Sequence, residues 1–600
     1  MSTTKIISID RVFAKRTTIT CLNILMMAAL SACSMPGSYV TGRRDATTVD
    51  PSRPAPALEP EQELLYERHK KSDAAPNRSA VQDGASEAEE MQAPAGIQDN
   101  DSDQRTNFNT ESYDHISENP FLTVTQNPLS TFSIDVDTAS YSITRRYLSS
   151  GSRPPPGAVR IEELINYFNY DYAEPSDGRP FAVHTEVSVA PWRPEHKLLH
   201  IGLQTRRPTA NAAVTDSDRP ANTKDAAPAV AMTLPPRNLV FLLDVSGSMN
   251  EPNKLPLLVR AMKMLTEGMT ARDRVAIVVY AGASGVVLPP TAGNDGPRIN
   301  EALDRLEAGG STNGGEGIRL AYDLARKNFN SEGINRVVLA TDGDFNVGTT
   351  NQSELIRMIE KERESGVFLT VLGFGDGNYK DSTMEKLAHH GNGNYAYIDT
   401  IAEARKVLVA EAGATLVTIA RDVKLQIEFN PAQVAGYRLI GYENRMLRAE
   451  DFNDDQKDAG EIGAGHSVTA LYEIIPAGQP VPSASVDALK YQTVPATATS
   501  AANSDELLTV KIRYKTPEGG ASMLATYPVR DAGLALDRTT DNFRFSAAVA
   551  SYGMLLRDSR YIGNGNFELT RNLARGALGA DAHGYRAEFV RLVEMARDLK

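Results

Sequence analysis

The chain has 600 residues, 41% of them hydrophobic and 23% charged, which is ordinary globular composition and too much for a single core. A formal net charge of −13 argues against nucleic acid as a partner, because phosphate binding needs a clustered excess of Lys and Arg. Cys21 and Cys33, the only cysteines, both lie near the start, so neither a disulfide nor a cysteine metal site is expected in the folded part.

In residues 1–33, Lys5, Arg11, Lys15 and Arg16 lead into the apolar run Ile19 to Leu30, too short for a permanent membrane span. The run ends in Leu30-Ser31-Ala32-Cys33, which resembles the bacterial lipobox. That resemblance implies a signal peptide cut before Cys33, lipid on the new terminal cysteine, and attachment to a membrane through buried acyl chains. Ser34 follows, and by resemblance to the sorting rule of enteric bacteria it favours the outer membrane within the cell envelope. Residues 34–110 are rich in Pro, Ala, Ser, Glu, Asp and Gln and read as a disordered tether, with too little apolar surface to offset the entropy of ordering.

Residues 111–235 read as an N-terminal flanking region. It contains Phe132 to Asp137, a helix over Thr138 to Ser149, and the compact run Ile161 to Phe168. Phe181 to Ala190 and Lys197 to Leu203 alternate apolar and polar residues, as half-buried antiparallel strands do. A low-complexity stretch, Thr209 to Thr233, reads as a linker.

Residues 237–416 alternate strands with helices, which predicts an α/β fold, a doubly wound, mostly parallel sheet covered on both faces. Strands are expected at Leu239 to Leu243, Val275 to Tyr280, Val337 to Ala340 and Phe368 to Phe374. Helices are expected at Leu255 to Met269, Arg298 to Leu306, Gly317 to Asn328 and Ser353 to Ser365, with others after Asp381 and Ile401. Residues 417–535 return to strands and read as a β-sandwich, interrupted by low-complexity Pro482 to Ser504; residues 536–600 close the chain with helices. Phe181 to Leu203 is expected to pair with the strands after Val423, which makes the α/β domain an insertion.

The informative residues fall at the carboxyl edge of the parallel sheet, where such folds place ligands. The first strand runs into Asp244-Val245-Ser246-Gly247-Ser248-Met249, a later one ends in Ala340-Thr341-Asp342-Gly343, and between them lies the glycine-rich turn Gly309 to Gly315 with Thr312. Carboxylates and hydroxyls are hard oxygen ligands, suited to Mg²⁺ with Mn²⁺ or Ca²⁺ as alternatives. This ordered set resembles the metal-ion-dependent adhesion site of von Willebrand factor type A domains. The resemblance implies that Ser246, Ser248 and Thr312 ligate the ion directly or nearly so, with Asp244 and Asp342 acting directly or through water and Asp344 beside them. It further implies that an acidic side chain of a protein partner completes the shell, with affinity linked to movement of the last helix. Phe132 to Ser142, Arg160 to Tyr172 and the C-terminal sandwich with its helices look like the flanks of a family of bacterial lipoproteins built around this domain.

Other groupings read as structural. Asp135, Asp137, Ser140 and Ser142 are taken as solvated turn or capping residues, with a second cation site as the alternative. His389 and His390 diverge on a helix and are placed on the surface, and Trp192 is placed in packing. The glycine-rich turn lacks the Lys of a phosphate loop, which argues against a nucleotide; no GxSxG or HExxH motif occurs, so binding and not catalysis is expected. The alternative is a regulatory or scaffold subunit of an ATPase or hydrolase complex. Replacing Cys33 by Ser removes the lipid-bearing thiol, so the Cys33→Ser protein is expected in the soluble fraction after cell fractionation; retention with wild-type processing refutes the lipoprotein reading.

Overall fold

Short strands separated by turns open the folded part. The computed structural model describes residues 110–207, 235–311, 314–343, 352–412, 416–482 and 499–599. The expected signal with Cys33, nearly all of the tether, the linker after Thr209, most of the 482–504 stretch, and Thr312 and Asp344 lie outside the described residues. Strands β1 (Leu122–Thr123) and β2 (Leu129–Ser133) precede helices α1 (Ala139–Ser149) and α2 (Ile161–Asn166). The two alternating runs then form the hairpin β3 (Phe181–Ala190) and β4 (Arg193–Thr205), with Val187 opposite Leu199.

The α/β domain follows. Its sheet has six strands, β5 (Arg237–Asp244), β6 (Arg274–Tyr280), β7 (Ser284–Ala292), β8 (Ile334–Thr341), β9 (Phe368–Phe374) and β10 (Tyr395–Ile398), in the order β10-β9-β8-β5-β6-β7. Neighbours are parallel except β6 and β7. The helices are α3 (Leu255–Glu267), α4 (Gly296–Asp304), α5 (Gly314–Lys327), α6 (Gln352–Arg363), α7 (Asp381–His390) and α8 (Ile401–Arg405). Side chains alternate along a strand. Leu239, Phe241 and Leu243 of β5 therefore meet α3, α4 and α8 through Leu258, Met262, Ile299 and Ala404. Val240 and Leu242 meet α5, α6 and α7 through Ile318, Tyr322, Leu355 and Leu387. β5 is buried along its whole length, which is why it reads as one apolar run. The sequence reading omits β7 and β10. β7 carries Pro289 and Pro290, which a sheet tolerates at its edge, and β10 has only four residues.

The chain then returns to the sandwich through β11 (Thr418–Phe429), β12 (Val434–Ile440), β13 (Met446–Leu447), β14 (Gly460–Gly463), β15 (Ser467–Pro476), β16 (Glu506–Thr516) and β17 (Gly519–Arg530). One sheet has the order β1-β12-β15-β4-β3, the other β13-β2-β11-β16-β17, with β14 beside β11. β4 pairs with β15 from Lys197 opposite Ile474 to Gln204 opposite Ser467, and β2 pairs with β11 with Phe132 opposite Leu425. The N-terminal flank and the 417–535 segment are thus one sandwich, into which the α/β domain is inserted. Leu199, Ile201, Tyr437 and Tyr472 from the first sheet meet Phe132, Leu425, Ile427 and Val510 from the second in a shared core.

Helices α9 (Asp541–Leu556), α10 (Phe567–Arg575) and α11 (Tyr585–Asp598) join α1 and α2 in covering the outer face of the first sheet. Phe543, Phe545 and Phe589 pack with Tyr141, Phe168, Leu198 and Leu471. α9 is buried on nearly every side, which explains its apolar sequence all round. α1 has two apolar faces. Tyr141 and Leu148 join this helical layer, while Ala139 and Ile143 join the core of the α/β domain.

The structure corrects the reading of Asp135 and Asp137. They are neither solvated nor a cation site: both are buried and bound to the Arg445 guanidinium at 3.0 and 3.2 Å, and Asp137 also accepts the Tyr395 N–H at 2.7 Å. Ser140 donates its backbone N–H to Glu163, and Ser142 accepts from Arg145, so both are structural. His389 is not simply on the surface, since its Nδ1 lies 2.7 Å from Arg445 and burial, then that charge, lowers its pKa. Trp192 is packed at 0% exposure, with its indole N–H donated to Glu473 at 3.0 Å.

Glu473 also accepts from His196 at 2.6 Å and Arg438 at 3.1 Å. Burial alone would raise its pKa, but these donors outweigh burial and hold the carboxyl below its ordinary range. Glu473→Ala strands a buried guanidinium and an indole N–H, so urea unfolding is expected to show a loss of about 3–5 kcal/mol at neutral pH. A depressed carboxyl stabilises the fold above its unfolded pKa and loses that effect as pH falls through the folded one. The difference between wild type and variant is therefore expected to shrink as the medium is acidified below the ordinary value of 4.5.

Candidate metal centre

Three neighbouring strands bring their carboxyl ends together at the centre of the parallel sheet. β5 ends in Asp244, β6 in Tyr280 and β8 in Thr341. Asp244 is fully buried and accepts hydrogen bonds from the Ser246 N–H at 2.9 Å, the Thr341 hydroxyl at 2.8 Å and the Tyr280 hydroxyl at 3.2 Å. Burial raises its pKa and the neighbouring Asp342 carboxyl adds to this, while the bonds from Ser246 oppose both. An isolated ionised Asp244 is thus electrostatically costly.

After Asp244 the chain turns outward. Ser246 is buried, Gly247 is exposed and Ser248 is half-buried, so the loop reaches solvent through Gly247 and Ser248. Their hydroxyl oxygens lie 3.1 Å apart. The glycine-rich turn is strapped to this loop by two backbone bonds, Gly309 N–H to Val245 O at 2.8 Å and Gly247 N–H to Gly310 O at 3.1 Å. Gly310 adopts a φ of +79°, a left-handed conformation that only glycine takes freely, and this lets the turn double back against the site. Residues 309–311 therefore reach the site. Asp342, fully buried, accepts from Lys254 Nζ at 3.1 Å and from Asn378 Nδ2 at 3.3 Å.

The structure thus brings Asp244, Ser246, Ser248 and Asp342 to one sheet edge. It adds Tyr280, Lys254 and Asn378, and a hydrogen-bonding role for Thr341. Tyr280 is legible only as the end of an apolar strand, and nothing local shows that its hydroxyl faces a neighbouring strand. Lys254 is one basic residue between the serine loop and α3. Asn378 comes from a loop remote in sequence.

Two carboxylates and two hydroxyls make a hard oxygen set. In an octahedral Mg²⁺ shell, with ligands at about 2.0–2.1 Å, adjacent oxygens stand roughly 3 Å apart. The 3.1 Å spacing of Ser246 and Ser248 fits one edge of such a shell. Among the described residues no group of three or more His, Cys, Asp or Glu is placed to hold a metal, so a cation here would rely on hydroxyls and water beside the two aspartates.

Fold and site together define a von Willebrand factor type A domain protein. Residues 238–409 match the model described as von Willebrand factor type A domain, residues 107–200 one described as von Willebrand factor, and residues 414–599 one described as uncharacterized protein YfbK, C-terminal. Over 500 residues the chain is 45% identical to the protein of Escherichia coli (strain K12) described as uncharacterized protein YfbK, covering 82% of each. The chain belongs to the YfbK family. A shorter match, 27% identical over 171 residues, links 27% of the chain to 18% of inter-alpha-trypsin inhibitor heavy chain H4 of Homo sapiens. Among solved structures, von Willebrand factor type A from Catenulispora acidiphila aligns at 14% identity over 70% of this chain and 91% of its own, with a TM-score of 0.37. Proximal thread matrix protein 1 from the mussel byssus, solved with a zinc-occupied MIDAS motif, aligns at 22% identity over 29% and 44%, with a TM-score of 0.24.

Thr341→Val keeps the shape of the side chain but removes a donor from a buried carboxylate. Urea unfolding in EDTA at neutral pH is expected to show a loss of about 1.5–3 kcal/mol, the range for hydrogen bonds to charged groups; a change near zero would mean that Thr341 does not hold Asp244.

Proposed function

We propose that this protein is a lipid-anchored binding module of the cell envelope that captures a protein partner through a shared divalent cation, and is not an enzyme. Asp244, Ser246, Ser248, Thr312 and Asp342 hold the ion, with Mg²⁺ the expected species and Mn²⁺ or Ca²⁺ able to replace it. The observation that carries this reading is the pair of hydroxyls of buried Ser246 and half-buried Ser248, 3.1 Å apart on the loop after buried Asp244, with exposed Gly247 between them and buried Asp342 at the same sheet edge. That arrangement leaves the solvent side of the ion free for an acidic side chain of the partner. Membership of the family supports the domain, and the Cys33 lipobox supports the anchor, with the outer membrane favoured by Ser34. A net charge of −13 and the absence of a phosphate-loop Lys from the glycine-rich turn support a protein partner over nucleic acid or nucleotide.

Thermal melts in Mg²⁺ and in EDTA test the site. If the folded protein alone binds the ion, a hundredfold excess over the dissociation constant is expected to add about 2.7 kcal/mol of stability. Asp244→Asn keeps an acceptor for the neighbouring donors while removing the charge. It is expected to remain folded in EDTA and to lose the Mg²⁺ shift; an equal shift in both proteins would place the ion elsewhere.

A further inference from the structure

Lys254 stands where a side chain has no local reason to be buried. It immediately precedes α3, at the mouth of the sheet, where a Lys ordinarily extends into water. Here it is 5% exposed, and its ammonium turns inward to Asp342 Oδ2 at 3.1 Å and Asn378 Oδ1 at 3.3 Å. Asn378 also donates to the same Asp342 oxygen at 3.3 Å, so ammonium, amide and carboxylate close a triangle.

The loop after β9 is shaped to admit this side chain. Gly375 has a φ of +77°, and a Cβ there would lie 2.3 Å from Lys254 Cε, 2.5 Å from Cγ and 2.8 Å from Cδ. The lysine stem therefore occupies the space that any other residue at Gly375 would fill. Ordering a lysine side chain loses conformational entropy, and burying its charge adds a larger desolvation cost unless a counter-charge is at hand. The buried counter-charges at this sheet edge are the aspartates of the metal centre.

We propose that Lys254 is a tethered cation that neutralises Asp342 in the metal-free site, opposes entry of a divalent ion, and makes the loaded site electropositive. The inference rests on the reading of this site as a metal centre. In the metal-free site one positive charge faces the two negative charges of Asp244 and Asp342. Once a divalent ion enters, its two charges and that of Lys254 exceed the two carboxylates by one. A site with that surplus favours an anionic group in the open position, which gives a physical reason for an acidic partner. Lys254 thus lowers the affinity for the free metal and raises the demand for a carboxylate from outside.

The test is titration calorimetry with Mn²⁺ on the folded, metal-stripped protein, as wild type, Lys254→Met and Lys254→Gln. The glutamine variant keeps a hydrogen-bond donor near Asp342, so it serves if the methionine variant does not fold. Loss of the tethered charge is expected to tighten Mn²⁺ binding about tenfold or more, which corresponds to about 1.4 kcal/mol. In EDTA the same variants are expected to melt earlier than wild type, and Mn²⁺ saturation is expected to close most of that gap. Mn²⁺ binding by the variants with none by wild type also supports the proposal. Equal or weaker binding by the folded variants, with measurable binding by wild type, overturns it and leaves the metal centre standing. No binding by any of the three overturns both readings.

Discussion

The antiparallel ladder between β4 and β15 is the constraint on which the rest of the structure depends. Its strands, Arg193–Thr205 and Ser467–Pro476, lie on either side of the whole α/β domain in sequence, so neither end of the chain can complete the first sheet alone. Such a contact closes a very long loop, whose entropic cost grows only slowly with length. The insertion leaves the sandwich after β4 in one sheet and returns through β11 in the other. Its entry and exit are therefore fixed to opposite layers of one core, and Asp103 to Lys600 forms one compact unit.

Guanidinium groups pin the inserted domain to its surroundings. Arg145 of α1 reaches Asp399 and Glu403 at the start of the last helix of the α/β domain, and Glu588 of α11, at 2.5, 2.7 and 3.0 Å. Arg160 binds Asp381 at the start of α7, and Arg445 joins Asp135 and Asp137 to His389. Arginine suits this work because its planar fork can satisfy several acceptors at once. Buried ion pairs add little net stability once desolvation is counted, but removing one partner is expensive, so these contacts set relative position more than strength. The last helix of the α/β domain continues into a π-turn at Lys406–Ala410 and is held to Arg145 through Glu403.

The candidate metal centre follows from the same economy of buried charge. Parallel strands end at one edge, and their last residues are surrounded by backbone and helices, so carboxylates placed there are desolvated by construction. Asp244 is held by three donors from its own loop and the two flanking strands; Asp342 faces an ammonium and an amide. The interior supplies orientation, and the outward serine loop supplies access.

By itself the sequence determined most of the α/β core, since β5, β6, β8 and β9 are short apolar runs and the helices repeat an apolar face, signals that survive without knowledge of neighbours. It also placed Asp244 and Asp342 at the carboxyl ends of two strands, with Ser246 and Ser248 in the loop after the first, because motif order along the chain ties them to those strands. What only the tertiary structure decided are the features that need a partner distant in sequence. Asp135 and Asp137 read as polar turn residues until Arg445, some three hundred positions away, is placed between them. β7 is hidden by two prolines that only an edge position tolerates, and β10 by its length of four residues. Lys254 looks like any surface lysine beside a helix. Its inward turn depends on Gly375 leaving room and on a buried carboxylate behind it, and both come from strands that local sequence cannot bring together.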